Sequence, residues 1–414
     1  MENKYKNSYN LLQNDLKNKI LMLDGAMGTM IQRENLTADD FGGEKYEGCN
    51  DYLVLQRPDI IKNIHKGYLE AGSDIIETNS FGALDIVLKD YDLEDKAFEM
   101  NKAAAELVNE AIAEYRSEHP EVTRNLYVAG ALGPSNKSIS VTGGVTFEEL
   151  IHTYYTAVSG LMAGGVDLIL FETIQDTRNL KAAYLGLKKA MEENYTVPLM
   201  LSFTIESTGT TLAGQTADAF YYAVNHMNPF SVGLNCATGP EFMTQFLKTL
   251  NNISNTYISV YPNAGLPNED GEYEETPDTL SAKIEPFFQN NYLNIVGGCC
   301  GTTPEHIQKI KEKSVNYSPR VIDENKDFND VSGLIALETP KDRPIYVGER
   351  TNVIGSRIFK NLIASEKFDD ATEVARLQIK GRADVIDICL ANPDRDEIAD
   401  MKAFLDKVAK FAKV

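Results

Sequence analysis

Two adjacent cysteines, Cys299 and Cys300, stand in the stretch GGCCGTTPEH, with Gly297 and Gly298 before them and Gly301 after. Thiolates are good metal ligands, but neighbouring side chains of a regular strand point to opposite faces, so both sulfurs reach one ion only where the backbone leaves extended geometry. Glycine permits that departure. A third thiol, Cys236, holds a similar place in SVGLNCATG, an apolar run that ends in glycine and precedes a helical pattern. Three thiolates on zinc leave a fourth tetrahedral position open, the arrangement of a catalytic rather than a closed structural site. The competing explanation is that these are small buried residues, since free cysteine is among the most buried types. A packed strand interior has little use for a Cys-Cys pair wrapped in glycine, which favours the metal.

The elements that must position these thiols follow a regular pattern. Short apolar runs recur at residues 20–30, 73–81, 126–135, 166–174, 197–205, 231–239, 256–265 and 292–301. Longer amphipathic segments lie between and after them, at 59–71, 93–116, 147–163, 176–191, 217–228, 241–250, 277–290 and 304–313. Thr146 with Glu149 forms a capping-box pattern, and Pro277 and Pro304 suit first helical positions. This alternation predicts an α/β fold, a (β/α)8 TIM barrel, and the continuous apolar runs suit parallel strands buried on both faces. A doubly wound sheet would call for G-x-G-x-x-G after the first strand, and residues 25–29 do not supply it. Asp24, Glu77, Asn79, Glu172, Asn235, Cys236, Asn263, Cys299 and Cys300 all fall at or near the carboxyl ends of the runs. A barrel carries its chemistry there.

At 414 residues the chain exceeds one ordinary domain. Residues 1–315 read as the barrel, and 316–343, polar and charged with prolines near both ends, as a linker. From 344 to 414 an incomplete second β/α segment follows: PIYVGERTNVIGS as a strand with its loop, 366–380 as a helix, ADVIDICLANPD as a strand and 397–413 as a helix. Two strand-helix units are too few to close a barrel, so this segment reads as truncated, either a piece of a longer protein or a pair of units that packs on something else.

Lysine and arginine number 40 against 61 aspartates and glutamates, a formal charge of −21, which argues against nucleic acid as a partner. No run approaches the ~20 apolar residues that cross a bilayer, so no membrane association is expected and the expected location is cytoplasmic. Five cysteines, an odd number in a large chain, do not form a secreted disulfide framework, and Cys49 and Cys389 have no partners at metal-ligand spacing. His65, His119, His152 and His226 lie in or beside helical segments, where core or surface roles are expected. His306, in the first turn after the cysteine pair, suits packing or capping.

The motifs DGAMGT at 24–29, GLNC at 233–236 and GGCCGTTPEHI at 297–307 resemble the homocysteine S-methyltransferase domain of the cobalamin-dependent methionine synthases, over roughly residues 15–315. GERTNVIGS at 348–356 is similar to the first strand of the pterin-binding barrel in the same proteins. The resemblance implies zinc held by Cys236, Cys299 and Cys300, with the homocysteine sulfur as the added ligand and methionine as product. It implies methylcobalamin as donor, carried by a cobalamin-binding module absent from this chain, and methyltetrahydrofolate as the ultimate methyl source. Glu172 is the candidate for the homocysteine ammonium. Asp24, Gly25 and Ala26 would shape the other side of the pocket, partly through backbone N–H groups, and Ser80 and Phe81 would line it. Asn263 would occupy the fourth zinc position through its side-chain oxygen when substrate is absent. Each has a plainer reading: Glu172 as a helix-capping rim carboxylate, Asp24-Gly25 as a turn, Phe81 as core and Asn263 as a turn residue. Two other functions compete, a free-standing methyltransferase using S-methylmethionine or betaine, and a zinc-binding structural or regulatory protein without turnover.

Overall fold

The apolar runs form eight strands: β1 (Leu21–Met22), β2 (Ile75–Glu77), β3 (Tyr127–Leu132), β4 (Leu168–Ile174), β5 (Leu199–Phe203), β6 (Ser231–Asn235), β7 (Tyr257–Tyr261) and β8 (Ile295–Val296). The computed structural model describes residues 2–268, 271, 273–323, 331–337 and 343–411. Contacts divide the chain into two units, Met1–Lys326 and Asp327–Val414. In the first unit the strands run in parallel in the order β1-β8-β7-β6-β5-β4-β3-β2, and a parallel bridge from Leu23 to Ile75 joins the two ends of that order. Helices Pro58–Ala71, Ala97–Glu118, Phe147–Gly164, Thr177–Glu193, Ala217–Val224, Pro240–Ile253, Pro277–Gln289 and Pro304–Ser314 alternate with the strands, giving the TIM-like barrel the alternation predicts. The Thr146–Glu149 capping box forms: Glu149 N–H donates to Thr146 Oγ1 at 3.2 Å and Thr146 N–H to Glu149 Oε2 at 2.7 Å.

One side chain reinforces the closure of the barrel. β1 is too short to hold β2 by a ladder alone, and Asp74, buried just before β2, makes up the difference. Its N–H donates to Met22 O at 2.7 Å, and its Oδ2 accepts from Met22 N–H at 3.0 Å. Lys19 lies 2.9 Å from Oδ1, and the Arg124 Nε is 3.6 Å from it. The helix Glu2–Asn18 covers the amino-terminal end of the barrel, where Leu12 and Leu16, one turn apart and both buried, join the core cluster of Leu21, Ile75, Leu168, Met200 and Ile295. Burying each leucine contributes about 1.5–3 kcal/mol.

The structure differs from the sequence expectation at several points. The run 20–30 is a strand only at its start, because Met27–Arg33 already forms a helix. The helix expected from 93 begins at Ala97, after short 3-10 turns at Lys89–Tyr91 and Glu94–Lys96 separated by Asp92 in left-handed geometry (φ 54°). The expected linker starts too early. Arg320 is only 5% exposed and belongs to the barrel unit, with its guanidinium donating to Asn251 Oδ1 (2.8 Å), Thr256 O (2.8 Å) and Ser254 O (2.7 Å). Within the rest of that stretch, β9 (Val331–Ser332) pairs antiparallel with β10 (Ala336–Leu337), while residues 324–330 and 338–342 lie outside the described residues.

The second unit pairs β11 (Val347–Asn352) in parallel with β12 (Val385–Cys389). Helices Arg357–Ala364, Phe368–Lys380 and Glu397–Phe411 accompany them, the first unforeseen from the sequence. Phe359, Ile363, Ala375, Leu390 and Phe404 form a core of its own. Among the described residues no helix is long and apolar enough to cross a membrane.

Replacing Asp74 by alanine removes the side-chain tie across the closing seam and leaves Met22 N–H buried without an acceptor. We expect a loss of about 2–3 kcal/mol. Urea unfolding checks this, with Asp74→Asn expected between the alanine variant and the wild type.

Candidate active site

Cys236 directly follows β6, and Cys299 and Cys300 lie in the turn after β8. The Cys300 sulfur is 4.0 Å from each of the other two, and all three lie within 4.8 Å of one another. A triangle of that size has its corners about 2.3 Å from its centre, the length of a zinc–sulfur bond, so the donor set fits a single zinc ion. Hydrogen bonding with the Cys236 and Cys299 sulfurs holds Cys300 below the usual thiol range, while the same contacts raise Cys299.

The backbone pays a conformational cost to bring the sulfurs together. Cys236 and Ala237 both adopt left-handed geometry (φ 59° and 57°), uncommon for residues with a side chain and typical of functional sites. Gly301 also has positive φ (82°), and the Tyr273 ring lies against it so closely that a Cβ there would fall 2.3 Å from Tyr273 Cγ. Main-chain ties fix the cysteine turn to the loop after β7: Cys299 N–H donates to Pro262 O at 2.8 Å, and Ala264 N–H to Cys300 O at 2.9 Å. Asn263 lies between those two anchors, buried, with its Oδ1 unpartnered among the described residues.

Asn235, fully buried just before Cys236, connects this site to β4 and β5. Its Oδ1 accepts from Thr173 N–H at 3.0 Å and Ser202 Oγ at 2.7 Å, and its Nδ2 donates to Thr173 Oγ1 at 2.8 Å. Thr173 needs that support, because a β-branched residue at φ 53° is strained. The β4–β5 register shifts between Phe171 and Ile174, the irregularity that carries Glu172 and Thr173.

Three carboxyl groups interact beside this network, Asp24 and Glu172 buried and Glu77 half-buried with its Oε1 out of reach of solvent. Burial pushes Glu172 up to about 8, and the charge on Cys300 adds to it. Burial also lifts Glu77 and Asp24 well above the carboxylate range; Glu172 and Asp24 act on Glu77, while Glu77 N–H, donating to Asp24 Oδ2 at 3.0 Å, partly offsets the rise at Asp24. Asp24 Oδ1 and Glu77 Oε1 are buried without a partner among the described residues. Unpartnered buried acceptors are costly, so these oxygens are suited to a cation with several N–H donors, such as a primary ammonium.

The remaining expected residues are placed unevenly. Ala26 N–H donates to Thr302 Oγ1 at 3.2 Å. Ser80 is buried, its hydroxyl donating to Ala131 O at 2.8 Å and lying 2.6 Å from Thr78 Oγ1, which gives it a structural task. Phe81 is not core: it is 44% exposed, packed against Gly133. His306 caps its helix, its Nδ1 accepting from Thr303 N–H at 3.2 Å while Nε2 lies 2.9 Å from Glu275 O. His65 is fully buried, and desolvation drives it down to about 3, hence neutral. The sequence marks Glu77 and Asn235 only as strand-end polar residues and does not single out Tyr273 or Thr302. Strand-end position marks Glu77 and Asn235, and Thr302 stands two residues after the cysteine pair, whereas Tyr273 is far from both in sequence.

The model of the homocysteine S-methyltransferase family matches residues 21–314. Two solved structures of the Escherichia coli homocysteine methyltransferase MmuM are similar to this chain. The metallated form is 24% identical with a TM-score of 0.61, covering 74% of this chain and 100% of its own. The oxidized form is 23% identical with a TM-score of 0.61, covering 74% and 99%. At such identities the likeness speaks for the fold of the first unit.

A buried carboxyl with a raised pKa binds protons on folding. The stability contributed by Glu172 is thus present in full below the ordinary glutamate value of 4.5 and is lost as pH climbs through about 8. In metal-free, ligand-free protein, Glu172→Gln should raise the thermal midpoint by several degrees at pH 8.5 and leave it nearly unchanged at pH 5, as read by calorimetry.

Proposed function

The chain belongs to the homocysteine S-methyltransferase family, and from that membership we propose that this methyltransferase moves a methyl group onto the thiol of homocysteine at a zinc site formed by Cys236, Cys299 and Cys300. The observation that carries the reading is the cluster of three sulfurs within 4.8 Å at the carboxyl end of the barrel, beside buried carboxyl groups that lack partners. A bound zinc ion supplies one piece of chemistry, keeping a coordinated thiol as the nucleophilic thiolate near neutral pH.

The protein's own groups do the rest. Cys236, Cys299 and Cys300 would hold the ion and leave room for one more donor, a place the substrate thiol would fill on giving its proton to solvent. Asn263 Oδ1, buried and unpartnered beside the cysteine turn, supports its role as the fourth donor in the absence of substrate. Asp24, Glu77 and Glu172 receive the substrate ammonium, which offsets the burial of their charge. Holding both ends of the acceptor aims its sulfur at the incoming methyl group. The new S–CH3 bond forms as the carbon–donor bond breaks, and the electron pair leaves with the donor.

We assign the donor to methylcobalamin carried by another module, with methyltetrahydrofolate as its source, as in a cobalamin-dependent methionine synthase. The support is the second unit, whose parallel β11 and β12 with their helices lie outside the family match. A free-standing enzyme using S-methylmethionine or betaine remains the competing assignment, because the first unit alone spans the whole MmuM chain.

Reduced protein should contain about one zinc per chain, and Cys236→Ala and Cys300→Ala should each lose the metal together with homocysteine binding. Metal retained in both variants would mean the cluster is misassigned. Given homocysteine, the wild type should form methionine from methylcobalamin and not from S-methylmethionine or betaine; the reverse pattern would support the free-standing enzyme.

A further inference from the structure

One hydroxyl connects the cysteine turn to the loop after β1. Thr302 is fully buried, and its Oγ1 donates to the carbonyl of Cys299 at 2.7 Å while accepting the N–H of Ala26 at 3.2 Å. It sits in close contact with both loops: a Cβ at Gly25 would fall 2.8 Å from Thr302 Oγ1, and one at Gly298 would fall 2.5 Å from the same atom. Larger residues are therefore excluded from both places. Three further ties run parallel to this one. Gly298 N–H donates to Asp24 O at 3.1 Å, Gly301 N–H to Thr29 Oγ1 at 3.0 Å, and the Tyr68 hydroxyl lies 3.2 Å from Ala26 O and 3.4 Å from Thr302 O.

We infer that Thr302 is a positioning residue that sets the distance between the sulfur end and the amino-acid end of the substrate pocket, and so selects the length of the acceptor. The inference rests on the function proposed above, in which Cys299 and Cys300 hold the metal and Asp24 receives the ammonium. Asp24 and Cys299 lie on different loops at opposite ends of the barrel sequence, and the hydroxyl of Thr302 bridges the main chains that carry them. A fixed separation between metal and carboxylate suits one carbon spacing between thiol and ammonium. Homocysteine fits that spacing, and cysteine, shorter by one methylene, cannot reach both ends at once. One methylene in a fitted site is worth roughly 10- to 200-fold in discrimination.

The test uses the full chain with cobalt in place of zinc, reading acceptor binding from the thiol-dependent change in the cobalt spectrum, so that no methyl donor is required. Wild type should bind homocysteine more tightly than cysteine by at least about tenfold. Thr302→Ala and the near-isosteric Thr302→Val should retain one metal per chain but lose most of that ratio, chiefly by weaker homocysteine binding. Thr302→Ser, which keeps the hydroxyl, should preserve it. The inference is overturned if wild type does not discriminate, or if the alanine and valine variants keep the wild-type ratio while binding both thiols more weakly. If wild type shows no thiol-dependent change at all, the proposed function fails, and this inference with it; a thiol response without length discrimination sinks the inference alone.

Discussion

Sulfur atoms held 4.0 Å apart cannot all be ionised unless a cation lies among them. Two thiolates at that distance repel by about 4 kcal/mol at an effective dielectric near 20, and a third adds to the total. A divalent cation at the centre of the triangle would remove that repulsion. Much of the local architecture serves this convergence: left-handed geometry at Cys236 and Ala237, the positive φ of Gly301 beneath Tyr273, and main-chain ties to the loop after β7. The barrel makes it possible by bringing the ends of β6 and β8, separated along the ring by β7 alone, to the same rim.

The carboxyl groups present the same problem with the opposite remedy. Asp24, Glu77 and Glu172 share a buried space, and each is more easily protonated than an exposed carboxyl. Such a cluster costs stability in the empty protein and recovers it when a cation enters, the usual relation between binding sites and stability. Asn235 connects the two problems, since it braces the strained Thr173 next to Glu172 and directly precedes Cys236.

The sequence makes the barrel legible because each apolar run ends in polar residues, so strand order and chemical end can be read together. Strand length is less legible. β1 and β8 are only two residues long, since their apolar runs continue into loop and helix with similar composition. The thiol cluster is readable from its glycines, whereas the task of a residue such as Thr302 is not, because its partners Ala26 and Gly25 lie far away in sequence. Phe81 shows the converse: a strand-end aromatic with an apolar side chain that packs on Gly133 and stays partly exposed. Arg320 misleads in the same way, since a charged residue in a polar stretch reads as linker until its carbonyl partners are known.

The central claim is that three cysteines hold zinc and leave one position for the substrate sulfur. X-ray absorption at the zinc edge tests it most directly, on reduced protein with and without homocysteine. The account predicts three sulfurs at about 2.3 Å and one lighter donor in the resting protein, changing to four sulfurs when homocysteine is added. Four sulfurs before addition, or a zinc environment that homocysteine leaves unchanged, would contradict it.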